Sequence, residues 1–445
     1  MIPEPPSLDQ YTLTCLHEAD PVVQHYRAFF GLLDWSGIDQ QDASRRKRGP
    51  RPHPKSAYIK AFLVGVCEGK PYRTQLRTLL VQHPWLVLEL GFRPVTTGEV
   101  ALTSPYGFDV EATVPTARWF REQLHRLDPT VLTDLLARTV QALQQEIPGL
   151  GETVAFDVKH IYAWVRENNP RVYTEGRYDV THHPKGDPDC RLGVKKSSNQ
   201  VQPDGTTKEK KESLFGYGSG VAVSTDPVYG DVVLAEYTLP FNEADVTYYR
   251  PLYQRTVTST NQFPTHVTAD AAYDYWDIYE TVAHRQGIAA IPLNSHGHEE
   301  VPRDPDGTPR CAKGLRMHPT YLFAHTNGFR AQRFRCPLLF PEPTGQTCDH
   351  AQFAKAKGCV KDPNWEKGGL MRALLDRESP LYHAVYTQRT SCERINSQAQ
   401  ALGIERPKVR NGRSVAHLNT LIYVVINVRA LEKAQSINRG LLQIK

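Results

Sequence analysis

The spacing of apolar residues changes character once, at Pro148-Gly149, and that change restricts the chain to a helical part followed by a sheet-bearing part. From about residue 20 to 145, apolar residues recur three and four apart between Pro and Gly punctuation, the mark of an all-α region. One helix is expected over Lys55–Cys67, with Tyr58, Ile59, Phe62, Leu63 and Val66 on one side. After the turn Glu68-Gly69-Lys70, Pro71 is expected to open a second helix carrying Leu76, Leu79 and Leu80. Two short helices joined by a Gly-containing turn suit a helix-turn-helix, although any helical bundle offers the same pattern. A third helical stretch is expected from Thr116 to Ile147. Ahead of the pair lies Ser44-Arg45-Arg46-Lys47-Arg48-Gly49-Pro50-Arg51-Pro52, whose five cations cannot pack into a core. It reads as an exposed arm that follows DNA phosphates through Arg45, Arg46, Lys47, Arg48 and Arg51, or as a solvated loop.

Beyond Gly149 the run Gly151 to Val158 is short, apolar and β-branched, a strand ending at Asp157. Tyr173 to Glu212 is polar and rich in charge and Gly, and is expected to be a loop that orders only on a partner. Leu214–Ser224 and Asp231–Leu239, separated by a Pro- and Gly-containing turn, form an expected hairpin. A helix over Asp245–Thr258, a strand over His266–Asp270, a helix over Asp274–Gln286 and a strand over Ile288–Ile291 follow. Three strands and then alternating helix and strand give an α/β fold, a mixed sheet with flanking helices. Late in the chain, Val415 to Leu431 is strongly apolar at helical spacing and reads as core.

At 445 residues the chain is too long for one ordinary core. Hydrophobic content of 40% and charged content of 23% are those of a globular protein. No uninterrupted run of about 18 apolar residues is present, so no membrane partner is expected, and Met1 to Pro6 lacks a secretory pattern, so the expected compartment is cytoplasmic. Cysteines in such a compartment are thiols rather than disulfides. A net charge of +5 permits nucleic-acid binding without requiring it.

Asp157 and Asp270 fall at or beyond the ends of their expected strands, where a sheet presents side chains to a ligand. Acids gathered from several elements suit Mg²⁺ or Mn²⁺ and the chemistry of phosphodiesters. Either Asp alone is equally a cap or turn residue. Around Glu393, a helix would place Tyr386, Arg389 and Glu393 on one face. Without the two aspartates that trio is an ordinary surface ion pair beside a packed tyrosine.

Together, Val154-Ala155-Phe156-Asp157, Ala269-Asp270-Ala271-Ala272-Tyr273-Asp274 and the Tyr-x-x-Arg-x-x-x-Glu pattern at Tyr386, Arg389 and Glu393 resemble the DDE transposases of bacterial insertion sequences. The likeness extends to the N-terminal half and covers roughly residues 20 to 435. It implies an RNase H-like core with the first Asp on the first strand, the second after the fourth strand and the Glu on a late helix. It implies a helical DNA-binding region at 1–148, a catalytic domain at 149–294 and 386–435, and an insertion domain at 295–385. Asp157, Asp270 and Glu393 would then be catalytic metal ligands, and Tyr386 and Arg389 would contact double-stranded DNA, with a homodimer on the DNA joining two transposon ends. The family signature has a Lys seven residues after the Glu. This chain has Gln400 there, a neutral donor to phosphate, with Arg406, Lys408 and Arg410 nearby as the expected source of the missing charge.

Within the insertion, Cys311, Cys336, Cys348 and Cys359 lie close in sequence, with His318 and His350 beside them. A structural zinc site is one reading; no Cys-x-x-Cys knuckle occurs, and buried free thiols are the plainer one. Three functional readings follow: a transposase that cuts and joins DNA ends, an RNase H-like endonuclease that cuts without joining, and a catalytically silent DNA-binding descendant of a transposase.

Overall fold

A computed structural model of the chain describes residues 9–39, 52–201, 207–294, 301–355 and 357–443. Helices α1 (Gln10–Ala19), α2 (Pro21–Gly31), α3 (Lys55–Cys67), α4 (Arg73–Gln82), α5 (Pro84–Glu89), α6 (Glu99–Thr103), α7 (Val110–Thr113), α8 (Ala117–Arg126) and α9 (Pro129–Glu146) build the N-terminal part. α3 is buried on nearly every side, from Ala57 through Val66, so it is the central helix of this part. Gly69, with φ of 59°, turns the chain out of α3. α4 begins at Arg73 rather than Pro71, with Tyr72 extended before it. The expected Thr116–Ile147 helix is broken into α8 and α9, because Asp128 caps the Thr130 N–H and Pro129 opens a new helix at its first position.

Strands β1 (Thr153–Tyr162), β2 (Arg191–Val201), β3 (Thr207–Asp226), β4 (Gly230–Pro240), β5 (His266–Thr268) and β6 (Ala289–Ala290) form one six-stranded mixed sheet. β3 runs antiparallel to β1, β2 and β4, whereas β5 lies parallel to β1, and β6 parallel to β5. Val221 of β3 pairs with Asp157 on one side and with Glu236 of β4 on the other, which places β4 opposite β1. Two expectations are corrected here. β1 does not end near Asp157 but continues to Tyr162, and the expected loop 173–212 contains β2 and the start of β3. β2 escapes sequence reading because its polar sequence carries no apolar alternation.

Helices α10 (Asp245–Thr260) and α11 (Trp276–Ala283) follow the hairpin and β5. The faces of β3 sort the helices: Tyr248 of α10 reaches the Gly218 carbonyl, whereas the Ser219 hydroxyl meets Tyr423 on the other side. Beyond β6, β7 (His318–Ala324), β8 (Arg330–Arg335) and β9 (Val360–Lys361) make a separate small sheet in the stretch expected to be an insertion, followed by α12 (Lys367–Leu374) and α13 (Pro380–Tyr386). Helices α14 (Thr390–Ala401) and α15 (Gly412–Gln443) complete the chain. α15 carries Tyr423 and is long and apolar enough to cross a membrane, yet Val415, Leu421, Ile422 and Val425 are fully buried against α9, α3 and β4. It is a core helix. One apolar cluster includes Phe62 and Phe120 from the N-terminal helices, Val221 from the sheet and Ile422 from α15.

Candidate active site

The register of two parallel strands brings the aspartates together. β1 and β5 pair as far as Ala155 opposite Thr268, and Asp157 and Asp270 each follow two residues later. Because side chains alternate along a strand, Asp157 points to the same face as Ala155. That face is the one α14 covers: the Asn396 side-chain N–H donates to Asp157 Oδ2 at 2.8 Å. Asp270 leaves β5 in an extended conformation and accepts the Ala272 N–H at 2.9 Å, so its own turn fixes its orientation. The next acid, Asp274, has a fully buried side chain that ties α12 to the turn after β5. It accepts from Arg372 of α12 (Nε at 2.8 Å), from the Tyr279 hydroxyl and from the Asn294 backbone.

Glu393 sits in the first turn of α14. The expected single helix through Tyr386, Arg389 and Glu393 is three segments instead, since α13 ends at Tyr386, Thr387–Arg389 is a 3₁₀ turn and α14 starts at Thr390. All remain right-handed, so the shared face survives: Arg389 lies 6.0 Å from the Tyr386 ring centroid and donates to Glu393 Oε1 at 2.7 Å. Tyr386 stacks on Tyr382. α14 is pinned to the hairpin by Arg394, which forks onto both carboxylate oxygens of Asp231 at 2.7 Å.

The electrostatics record the crowding of charge. Burial first of all raises the Asp157 carboxyl to about 6, against the Val158 N–H and Arg389, with the charges of Asp270 and Glu393 pushing it further. A fourth acid, Asp245 at the start of α10, is also raised to about 6, by burial and then by Asp270 and Asp157. The Tyr273 hydroxyl is buried beside Asp245, Asp157 and Asp270 with no hydrogen-bond partner among the described residues. Asp157, Asp270 and Asp245 thus feel one another's charge near the buried Tyr273 hydroxyl, and a cation among them would relieve that repulsion. Glu393 stands apart, its side chain 58% exposed and paired with Arg389. Among the described residues no three His, Cys, Asp or Glu side chains are grouped tightly enough to hold a metal ion as they stand.

Gln400 is exposed at the far end of α14, and its Oε1 accepts from Lys159 Nζ at 3.2 Å. Lys159 follows Asp157 by two residues on the same strand face, so the cation nearest Gln400 comes from β1. Arg406, Lys408 and Arg410, expected to serve there, sit instead at the rings of Tyr162 and Trp164. The basic arm with Arg45, Arg46, Lys47, Arg48 and Arg51 lies outside the described residues. In the insertion, Cys336 and Cys359 are buried with Phe334 and Leu338, Cys311 and Cys348 pack against the same cluster, and Cys359 Sγ is 3.2 Å from His350 Nδ1. Burial chiefly raises the Cys359 thiol, with Cys336, Cys348 and Cys311 adding to it.

Asp245, Asn396, Tyr273 and Lys159 were not singled out from sequence. Asn396 and Lys159 had a signal in their spacing from Glu393 and Asp157; Asp245 is brought in only by the crossing of α10 over the sheet.

The chain matches no family model and no curated protein. Among solved structures, it is similar to a piggyBac transposase synaptic complex with hairpin DNA at 9% identity, TM-score 0.30, covering 98% of this chain and 82% of that one. It is also similar to a Mos1 transposase paired-end complex with left transposon end at 12% identity, TM-score 0.17, covering 64% of this chain and 77% of that one. Overlaps this loose leave the reading of the site to its own residues.

Proposed function

We propose that this chain is a DDE transposase of an insertion sequence, which binds the terminal inverted repeats of its element, cuts the strand ends and joins the freed 3′-hydroxyls to target DNA. The observation that carries the reading is the placement of Asp157 and Asp270, each two residues past the last matched position of adjacent parallel strands, with Asp157 held by Asn396 of the helix that bears Glu393. The succession of first acid on β1, second just past β5 and third on α14 supports an RNase H-like plan in which the unexpected β2 is an added strand, so that the second acid follows the fifth strand rather than the fourth.

Asp157, Asp270 and Glu393 are the residues that would hold Mg²⁺ or Mn²⁺. The fit rests on Asp157 and Asp270 following the same register position of adjacent strands beside the Tyr273 hydroxyl, unpartnered among the described residues, and it requires Glu393 to turn from Arg389 toward them. When bound, such metals activate the attacking hydroxyl and stabilise the leaving oxygen. The protein's own groups do the rest: Asn396 orients Asp157, Arg394 fixes the helix under Glu393, and Arg389 stands one turn from Glu393 where a phosphate would approach. Two copies on paired DNA ends are part of the proposal. For the insertion, a structural zinc on Cys311, Cys336, Cys348 and Cys359 is a subsidiary proposal, supported by their common cluster and requiring their side chains to turn toward one point.

The test uses duplex DNA carrying the inverted repeats that flank the reading frame, incubated with a target plasmid in Mg²⁺. Joined end–target products are expected. Nicked ends without joining would make the protein an endonuclease, and binding without cleavage would make it a silent DNA-binding protein.

A further inference from the structure

The strand that carries Asp157 ends at Tyr162, and the chain beyond it exposes Trp164. The loop between α14 and α15 crosses this end and is tied to it by the Tyr162 N–H, which donates to the Glu405 carbonyl at 2.9 Å. Ile404, Pro407 and Val409 bury their side chains inward, and Arg406, Lys408 and Arg410 fall between them on the outer side. Each cation rests on an aromatic ring: Arg406 at 4.3 Å from the Tyr162 centroid, Arg410 at 4.8 Å and Lys408 at 5.9 Å from that of Trp164. Tyr72, from the N-terminal helices, meets Trp164 edge-on. Two adjoining depressions share Trp164 and Lys408, and Arg121 of α8 lines one of them.

A ring contact occupies the face of a cation and leaves its N–H donors free. Arg406 has one acidic neighbour, Glu405 at 3.9 Å, while Lys408 and Arg410 form no ion pair among the described residues. Cations lined along a loop, held by aromatic rings and little neutralised, suit a succession of phosphates. From Asp157 to the strand end at Tyr162 the chain advances five residues, about 17 Å at strand rise, close to the span of about five nucleotides along one DNA strand.

We propose that Arg406, Lys408 and Arg410, seated on the rings of Tyr162 and Trp164, form a phosphate-binding ledge for duplex DNA at the far end of the strand that carries Asp157. The ledge rests on the transposase reading and adds to it a second hold on the DNA, away from the acids. Trp164 is a positioning residue, acting through the cations it seats.

The experiment measures binding of the full chain to a fluorescent 30-base-pair duplex as salt is raised, with metal-dependent cleavage followed in parallel at saturating protein. Replacing Arg406, Lys408 and Arg410 by Ala together is expected to reduce the slope of log affinity against log salt by about three, near 0.9 per lost phosphate contact. Trp164→Leu, which changes no charge, is expected to reduce the slope by about one to two, while Trp164→Phe, which keeps a ring, stays close to wild type. If Trp164→Leu binds like wild type although the triple variant is weakened, the cations act only through net charge and the ledge is overturned. Unchanged slopes in every variant, with cleavage intact, overturn the ledge and leave the transposase reading standing. A wild-type chain that neither binds nor cuts duplex DNA overturns both.

Discussion

Asp157→Asn is expected to make the metal-free protein more stable at neutral pH. The Asp157 carboxyl has a folded value of about 6 against an ordinary 3.8, so the native state holds its proton to higher pH than the unfolded chain does. Stability is therefore lost as pH rises through the window from about 4 to about 6, and the full cost persists above it. A shift of about two units corresponds to about 3 kcal/mol at pH 7.5 and about half of that at pH 5. Asn has the same shape, carries no charge and keeps an oxygen for the Asn396 N–H, so the substitution removes the penalty without opening a cavity. For a chain of this length about 3 kcal/mol is a rise of roughly 3–6 °C in the thermal midpoint. The assay is thermal unfolding by circular dichroism in chelator, at pH 5 and 7.5, then at pH 7.5 with Mn²⁺. Wild type is expected to gain stability with Mn²⁺, and Asp157→Asn to gain less. An Asn variant no more stable than wild type at pH 7.5, or equally shifted at both pH values, would refute the claim that burial, reinforced by Asp270 and Glu393, holds the Asp157 carboxyl well above its ordinary value.

Asp274→Ala leaves the Arg372 guanidinium without its buried partner and is expected to cost about 3–5 kcal/mol in urea unfolding, with the insertion becoming sensitive to protease before the sheet does. At Gly220 a Cβ would lie 2.6 Å from Tyr248 Cδ1, so Gly220→Ala should push α10 off β3 and cost about 1–3 kcal/mol, read in the same assay. Metal analysis of the purified chain tests the subsidiary zinc proposal: about one zinc per molecule, lost in Cys336→Ser, supports it, and a zinc-free protein with all eight thiols reactive on unfolding leaves the cluster as buried thiols.

What the sequence made legible follows the strength of each local signal. Lys55–Cys67 was readable to the residue because its apolar side chains recur at helical spacing, and the hairpin of β3 and β4 because Gly230 and a Pro mark its turn. β2 was hidden, since pairing rather than apolar pattern makes it a strand. The continuation of β1 past Asp157 was hidden for a similar reason: Lys159 and His160 read as the end of an apolar run, while the backbone keeps pairing with β3 to Tyr162. That continuation moves the acid from a strand end to mid-strand and creates the surface around Trp164. In the candidate site, Asp157, Asp270 and Glu393 came from motif resemblance, whereas Asp245 is legible only once α10 is laid over the sheet, because nothing in its neighbours ties it to an acid 88 positions earlier.

The most direct measurement is Mg²⁺-dependent cleavage of the element's own end DNA by wild type and by Asp157→Ala, Asp270→Ala and Glu393→Ala, with binding of the same DNA measured alongside. Wild type is expected to cut, and each variant to bind normally while cutting at least about a thousandfold more slowly, a loss of about 4 kcal/mol in transition-state stabilisation. Metal-dependent cleavage that survives in Asp157→Ala would contradict the assignment of the site.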